Sequence, residues 1–131
     1  MLALAALLAV QITGQHPAHL TGRWFGQGEP HDKSEMWLAE LSPGGDIAVQ
    51  FRTCRKGKAS DYFEKGSWWF ANGIETIRIT WSGGQTVLRE TPYRILSADG
   101  KRQIYSMPDG FVFQSSRVGA DFKMPGCELT S

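Results

Sequence analysis

Hydrophobic and polar residues alternate along most of the chain after residue 20, and this alternation predicts β-strands. Runs rich in aromatic and β-branched residues are separated by short stretches that contain Gly, Asn, Asp or Pro. The pattern leaves no room for a core helix. We predict eight strands, A to H, at residues 20–29, 34–41, 46–54, 60–70, 74–82, 86–96, 101–107 and 111–118.

The breaks between strands contain residues that tolerate a positive φ, which tight hairpin turns require. They include Pro43-Gly44-Gly45-Asp46, Ala71-Asn72-Gly73, Ser82-Gly83-Gly84-Gln85, Ala98-Asp99-Gly100 and Pro108-Asp109-Gly110. Consecutive hairpins give a meander, and a twisted meander of this size removes its edges by closing on itself. We therefore expect an all-β, eight-stranded, antiparallel up-and-down barrel. A two-sheet sandwich is the alternative, although its connections are normally longer.

The first strand carries Gly22 two residues before Trp24, and the last strand carries Arg117. This combination resembles the signature of the lipocalins and their calycin relatives, most closely the small lipocalin-like domains of secreted bacterial proteins. The resemblance covers residues 20–118. It implies that Trp24 plugs the closed end of the barrel and that Arg117 lies across its indole. Such a cation–π contact is worth about 0.5 to 2 kcal/mol, depending on desolvation.

Alternate turns of a meander lie at opposite ends of the barrel, so the position of Trp24 defines both ends. The turns at 43–46, 71–73 and 98–100 join Trp24 at the closed end. The open rim is built from residues 30–33, 54–59, 82–85 and 107–110. The tail from Gly119 to Cys127 reaches about 30 Å when extended, so it can return along the outer wall to Cys54 at the rim.

The chain begins with an apolar run, Met1 to Val10, that is too short to span a bilayer and suits a signal peptide. We expect residues 1–14 to be removed, residues 15–19 to form a short leader, and residues 20–131 to form one domain with a C-terminal tail. A buried N-terminal helix is the alternative. The mature protein would be periplasmic or secreted, with no transmembrane segment.

Export places the two cysteines, Cys54 and Cys127, in an oxidising compartment, where a pair in a small domain usually forms a disulfide. A free catalytic thiol is the alternative interpretation. A zinc site is disfavoured because the cysteines lack the usual ligand spacing.

Strand alternation also predicts which side chains face the interior. Gly22, Gly26 and Gly28 share the face of Trp24, which indicates either free space above it or a close backbone approach. Glu64 falls in the same row as Trp68, so it is either a buried carboxylate or a sign of a register error. Eight strands enclose room for packed side chains or for one small ligand. The aromatic residues predicted to contact such a ligand are Phe51, Trp68, Trp81, Tyr93, Tyr105 and Phe113.

The chain has 14 Lys and Arg against 13 Asp and Glu, a net charge of +1, which argues against a nucleic-acid-binding protein. Arg52, Arg55, Lys56 and Lys58 form the main basic cluster, at the predicted mouth of the barrel. The cluster would attract an anionic head group, such as a carboxylate or phosphate. The alternative is a solvated loop.

Catalytic chemistry has little support in the sequence, because no serine or cysteine lies in a recognisable nucleophile motif. His16, His19 and His31 belong to the leader or the first loop. They would form a metal site with Asp32 only if the leader folded back onto the rim. We therefore expect neither an enzyme nor a metal or cofactor.

Two functional hypotheses remain. In the first, an exported lipocalin-like protein binds a small hydrophobic or amphiphilic molecule in the barrel. In the second, the interior is filled and the loops dock onto an envelope protein or inhibit a foreign enzyme. Neither the identity of the ligand nor the oligomeric state follows from the sequence.

Overall fold

The computed structural model describes residues 14–28 and 34–127, which form a closed, antiparallel eight-stranded barrel with neighbouring strands paired in chain order. No helix occurs in these ranges, so the predicted all-β architecture is confirmed. The proposed signal segment, apart from Gly14, lies outside the described residues, as do His31 and Asp32. The strands are β1 (Gly22–Gln27), β2 (Glu35–Leu41), β3 (Asp46–Arg55), β4 (Lys58–Ala71), β5 (Ile74–Ser82), β6 (Gln85–Ala98), β7 (Arg102–Ser106) and β8 (Val112–Val118).

Three of the predicted strand ends are corrected by local turn geometry. Strand β1 begins at Gly22 and not at Leu20, because the backbone amide of Leu20 donates to the carbonyl of Pro17 in a preceding turn. Strands β3 and β4 extend to a two-residue turn, Lys56-Gly57, in which both residues have a positive φ. A tight turn of this kind continues the twist of its strands, so the loop expected at residues 54–59 is a hairpin tip.

An irregularity in β5 changes the face on which its last residues lie. Lys65 on β4 pairs with Trp81 on β5, but the next residue, Gly66, pairs with Ile79. Thr80 is therefore an extra residue on β5 without a partner position on β4. Gly66 permits this close approach, because a Cβ there would lie 1.8 Å from the carbonyl oxygen of Arg78. An extra residue reverses the in-and-out alternation beyond it.

Trp81 is therefore not inside the barrel, contrary to the sequence prediction. Its side chain is 36% exposed and lies beside Lys65, whose Nζ is 5.5 Å from the ring centre. The same reversal turns the next residue, Ser82, toward Glu64 in the interior.

The closed end of the barrel is organised around Trp24, whose side chain is buried and whose indole N–H donates to the carbonyl of Leu20 at 3.0 Å. The guanidinium carbon of Arg117 lies 4.5 Å from the ring centre. Gly22, with φ at 112°, is required here, since a Cβ at this position would lie 2.3 Å from Nη1 of Arg117. The space beside Gly22 is thus occupied by the arginine.

The leader packs under this end of the barrel. Gln15 forms a two-hydrogen-bond bridge with Phe70, and Nε2 of His16 lies 2.9 Å from the carbonyl oxygen of Trp68. Leu20 is fully buried in the core cluster with Trp24 and Trp68. Residues 15–20 therefore cover the base of the barrel.

The C-terminal tail follows the outer wall from the closed end to the rim, as predicted. Phe122 contacts Phe25 on β1, with ring centres 5.0 Å apart, and Arg52 on β3 donates to the carbonyl of Pro125 at 2.9 Å. The tail ends in the predicted disulfide between Cys127 and Cys54, whose Cα atoms are 5.3 Å apart.

The two tryptophans Trp24 and Trp81 provide a matched pair for testing the closed end. We expect Trp24→Ala to lower the free energy of unfolding by about 3 to 5 kcal/mol, as truncation of a buried aromatic side chain does. Trp81→Ala should cost much less, because its ring is partly exposed on the outer face. Urea unfolding of both variants measures the difference, and equal losses would contradict the plug at the closed end.

Reduction of the disulfide should lower the urea midpoint of the native protein. The bridge joins residues 73 positions apart, and closing a loop of that length contributes about 4 kcal/mol in the chain-entropy account. A Cys54→Ser/Cys127→Ser double variant is the control, since reductant should leave its midpoint unchanged. A wild-type midpoint that does not respond to reductant would oppose a stabilising bridge.

Candidate functional site

A cavity of about 430 Å³ occupies the barrel interior. Its lining extends from Trp24 at the closed end to Glu35 and Thr53 beside the open rim. Most of the wall is hydrophobic or aromatic, from Trp37, Leu41, Ile47, Val49, Phe51, Ile77, Ile79, Tyr93, Tyr105 and Phe113. The volume lies within the range of about 300 to 1,000 Å³ that is common for small-molecule pockets.

Four of the six aromatic residues predicted to contact a ligand line this cavity: Phe51, Tyr93, Tyr105 and Phe113. Trp68 faces inward but lies beneath the cavity, fully buried in the core, where its indole N–H donates to the carbonyl of Ser42 at 2.9 Å. Trp81 lies on the outer face. Two of the six are therefore absent from the cavity wall.

Trp37 also lines the cavity, although it was not among the aromatic residues predicted to contact a ligand. Its ring fills the space beside Gly26, where a Cβ would lie 2.3 Å from Cζ2 of the indole. Its N–H donates to the hydroxyl of Ser115 at 3.2 Å, and this hydroxyl is 3.0 Å from the phenol oxygen of Tyr105. Free space above Trp24 was one of the two interpretations of Gly26, and a second tryptophan fills that space. The polar groups of Trp37, Ser115 and Tyr105 hold one another in place.

Glu64 shares a row with Trp68, which left two interpretations open, a buried carboxylate or a register error. The structure shows a buried carboxylate. It accepts a hydrogen bond from the hydroxyl of Ser82 at 2.7 Å and forms an ion pair with Arg89. Arg89, on β6, is half-exposed, so one end of the pair remains in contact with water. Pairing and hydrogen bonding satisfy the charge of Glu64 inside the barrel.

Glu75 is a second carboxyl group in the cavity wall, and its environment differs from that of Glu64. Its side chain is buried, and Oε2 has no hydrogen-bond partner among the described residues. Burial raises the pKa of Glu75 to about 7. The side-chain nitrogen of Gln103, also buried in the lining, likewise has no partner within residues 14–28 and 34–127. The two residues follow the hairpins at 71–73 and 98–100, so both belong to the closed end.

Two phenols lie near Glu75. The rings of Tyr93 and Tyr105 meet edge to face with centres 5.4 Å apart, and Tyr93 is paired with Glu75 across β5 and β6. Burial raises the pKa of both phenols, and the charge of Glu75 adds to the effect. Both tyrosines are therefore neutral hydrogen-bonding groups in the cavity.

The predicted basic cluster is divided by the fold. Arg52 is held on the outer wall by Asp61, with Nε 2.8 Å from the carboxylate, and by the C-terminal tail. The hydrogen bond from Arg52 lowers the pKa of Asp61. Arg55, Lys56 and Lys58 are exposed at the tip of the β3–β4 hairpin. Among the described residues, Arg52 and Arg89 are the cations that line the cavity, and Arg89 was not part of the predicted cluster.

Within residues 14–28 and 34–127, no three His, Cys, Asp or Glu side chains are arranged to hold a metal ion. His16 and His19 lie at the closed end and not at the rim, which removes the geometry that a rim metal site would need. The same ranges contain no helix long and apolar enough to cross a membrane.

No protein-family model, curated protein or solved structure matches the chain. The cavity and its chemistry are therefore the basis for assigning a function.

The buried carboxyl of Glu75 predicts a pH-dependent stability. Between pH 4.5, its ordinary pKa, and about 7, the folded protein keeps a proton that the unfolded chain has released, so stability falls as the pH rises. The fall amounts to about 3 kcal/mol at most and is complete above the folded pKa. We expect Glu75→Gln to remove it and to be more stable than wild type under mildly alkaline conditions.

Urea unfolding of wild type and Glu75→Gln on both sides of this pH window measures the effect. Glu40→Gln is the control, because Glu40 lies exposed on the outer face of β2 and should leave the pH dependence intact. If wild type and Glu75→Gln differ by the same amount at every pH, Glu75 does not hold the proton.

Proposed function

We propose that this protein is an exported, lipocalin-like carrier or scavenger that holds one small hydrophobic or amphiphilic molecule in its barrel. The observation that supports this proposal is the cavity of about 430 Å³, with a wall that is largely aromatic and aliphatic. The transfer of an apolar ligand from water into a cavity of this size, lined by apolar groups, is accompanied by a favourable change in free energy.

The lipocalin-like assignment is supported by the combination of a closed barrel with Gly22, Trp24 and Arg117 at its closed end. The same elements gave the resemblance in the sequence. In such a barrel the closed end is sealed by side chains, so a ligand enters from the opposite rim.

Export is supported by the disulfide between Cys54 and Cys127, since disulfides persist mainly in oxidising compartments. The apolar run at residues 1–10 supports the same proposal from the sequence. A periplasmic or extracellular protein of this kind would meet small molecules outside the cytoplasm.

Docking to an envelope protein is the second candidate function, and one observation favours it. Phe111 and Val112, at the turn between β7 and β8 on the open rim, are about half-exposed. Exposed apolar side chains at a rim suit a protein contact. Charge reversal at Arg55, Lys56 and Lys58, beside the same rim, should weaken such an interaction without changing ligand uptake.

Two alanines on neighbouring strands allow a matched test of ligand uptake. Ala39 lines the cavity, whereas Ala48 is exposed on the outer face. We expect the neutral fluorescent dye phenylnaphthylamine to bind wild type and Ala48→Phe with equal affinity. In Ala39→Phe the added ring occupies the cavity, so the affinity should fall by about tenfold or more, equivalent to about 1.4 kcal/mol.

Fluorescence titration measures the three affinities, and urea unfolding confirms that each variant is folded. If the dye binds Ala39→Phe as well as wild type, it binds outside the barrel and the proposed site is wrong. If it binds none of the folded proteins, the carrier function is contradicted.

A further inference from the structure

The carboxyl group of Glu75 lacks the partners that its counterpart in the same cavity possesses. Glu64 has both Ser82 and Arg89, but Oε2 of Glu75 has no hydrogen-bond partner among the described residues. Burying a carboxyl group without a partner is costly, because the ionised form loses its hydration. A buried polar atom without a partner needs an explanation, and in a cavity wall a ligand atom that donates to it would provide the missing hydrogen bond.

The described residues around Glu75 provide no cation for it. Its neighbours on the adjoining strands are Phe70 on β4 and Tyr93 on β6, and Tyr105 on β7 lies near. Arg89 is held by Glu64 toward the rim. From the leader, His16 and His19 contact the rings of Trp68 and Phe70.

The aromatic residues of the cavity supply a second feature that suits a cation. The rings of Tyr93 and Tyr105 lie beside Glu75, and Trp37, Phe51 and Phe113 form much of the remaining wall. The face of an aromatic ring carries partial negative charge and attracts ammonium groups, most strongly where water is excluded.

We propose that the cavity binds an amphiphilic amine, whose ammonium group donates to Glu75 while its apolar part contacts the aromatic wall. This inference rests on the proposed carrier function and names the chemical class of its ligand. An oxygen near the amine would also accept from the unpartnered side-chain nitrogen of Gln103.

The same geometry disfavours the anionic head group expected from the basic cluster. Arg55, Lys56 and Lys58 lie at a hairpin tip and do not line the cavity, and Arg52 is taken by Asp61. Arg52 and Arg89, which also line the cavity, are paired with Asp61 and Glu64. An anion at the closed end would therefore meet Glu75 with no free cation beside it among the described residues.

The amine also changes the protonation of the site. Burial raises the pKa of Glu75 to about 7 in the free protein, so below neutral pH its carboxyl carries a proton. An ammonium ligand arrives protonated and pairs with the carboxylate, which requires that the carboxyl proton leave for the buffer. Affinity should therefore increase as the pH rises toward the alkaline side of 7, and binding in mildly acid buffer should release about one proton.

Three indole ligands with the same ring and different head groups test the proposal by calorimetry: tryptamine, its alcohol analogue tryptophol, and indoleacetamide. We expect tryptamine to bind wild type about tenfold or more tightly than the other two in mildly alkaline buffer, because its hydrogen bond to Glu75 is charge-assisted. Titrations in buffers of different ionisation enthalpy measure the released proton.

The variant Glu75→Gln distinguishes the contact between the ammonium group and Glu75 from the binding of apolar molecules in the barrel. The variant should lose about tenfold or more of the affinity for tryptamine, together with the proton release, and should keep its affinity for tryptophol. Glu40→Gln, on the outer face, should behave as wild type. His16 and His19 remain in both variants, so any pH dependence that survives Glu75→Gln belongs to other groups.

Two results would overturn the amine assignment while leaving the carrier function in place. One is equal binding of all three ligands, or tightest binding of the amide, with no change in Glu75→Gln. The other is that none of the three binds although phenylnaphthylamine does. If neither the indoles nor phenylnaphthylamine binds the folded protein, the carrier function itself is contradicted.

Discussion

The contact between Arg117 and Trp24 is the interaction on which the barrel depends. It connects the last strand to the first, and the same guanidinium donates to the carbonyls of Thr21 and Gly100. It thereby fixes the end of β8, the turn before β7 and the chain entering β1 in one place. Because the closed end is sealed by these groups and by the leader, the space above Trp24 is bounded below and remains accessible from the rim.

The cavity wall contains two buried carboxyl groups, Glu64 and Glu75, which differ in their hydrogen-bond and charge partners. The carboxylate of Glu64 forms an ion pair with Arg89 and accepts a hydrogen bond from Ser82, so its burial does not require a ligand. Oε2 of Glu75 has no hydrogen-bond partner in the described part of the chain, and the burial of Glu75 opposes folding at neutral pH. A group that is costly in the free protein and faces a cavity is easiest to understand as part of a binding site, because binding restores the interaction that folding removed.

Much of the fold could be predicted from the sequence, because strand alternation and turn residues are local signals. The disulfide was expected from the two cysteines of a small exported domain, and the course of the tail from its extended length, which is about that of a strand. The position of Trp81 could not be predicted, because it depends on the approach of Gly66 to the backbone of Arg78, which only the paired strands create. A lone glycine in a strand was the available signal of such an irregularity.

The missed residues of the site have a different explanation. Trp37 shares a face with Ala39 and Leu41 on β2, so alternation alone would have placed it inside. Glu75 and Arg89 also follow the inward rows of their strands, next to Ile77 and Thr91. Because charged side chains are usually exposed, the few that line a cavity are easily assigned to the outer face from sequence alone.

We propose that the barrel carries a ligand, and native mass spectrometry of the protein purified without detergent tests this most directly. The account predicts a mass in excess of the polypeptide that disappears on denaturation, and organic extraction should yield an apolar molecule that contains a basic nitrogen. A polypeptide mass alone, unchanged after incubation with a mixture of lipids and small metabolites, would contradict the claim.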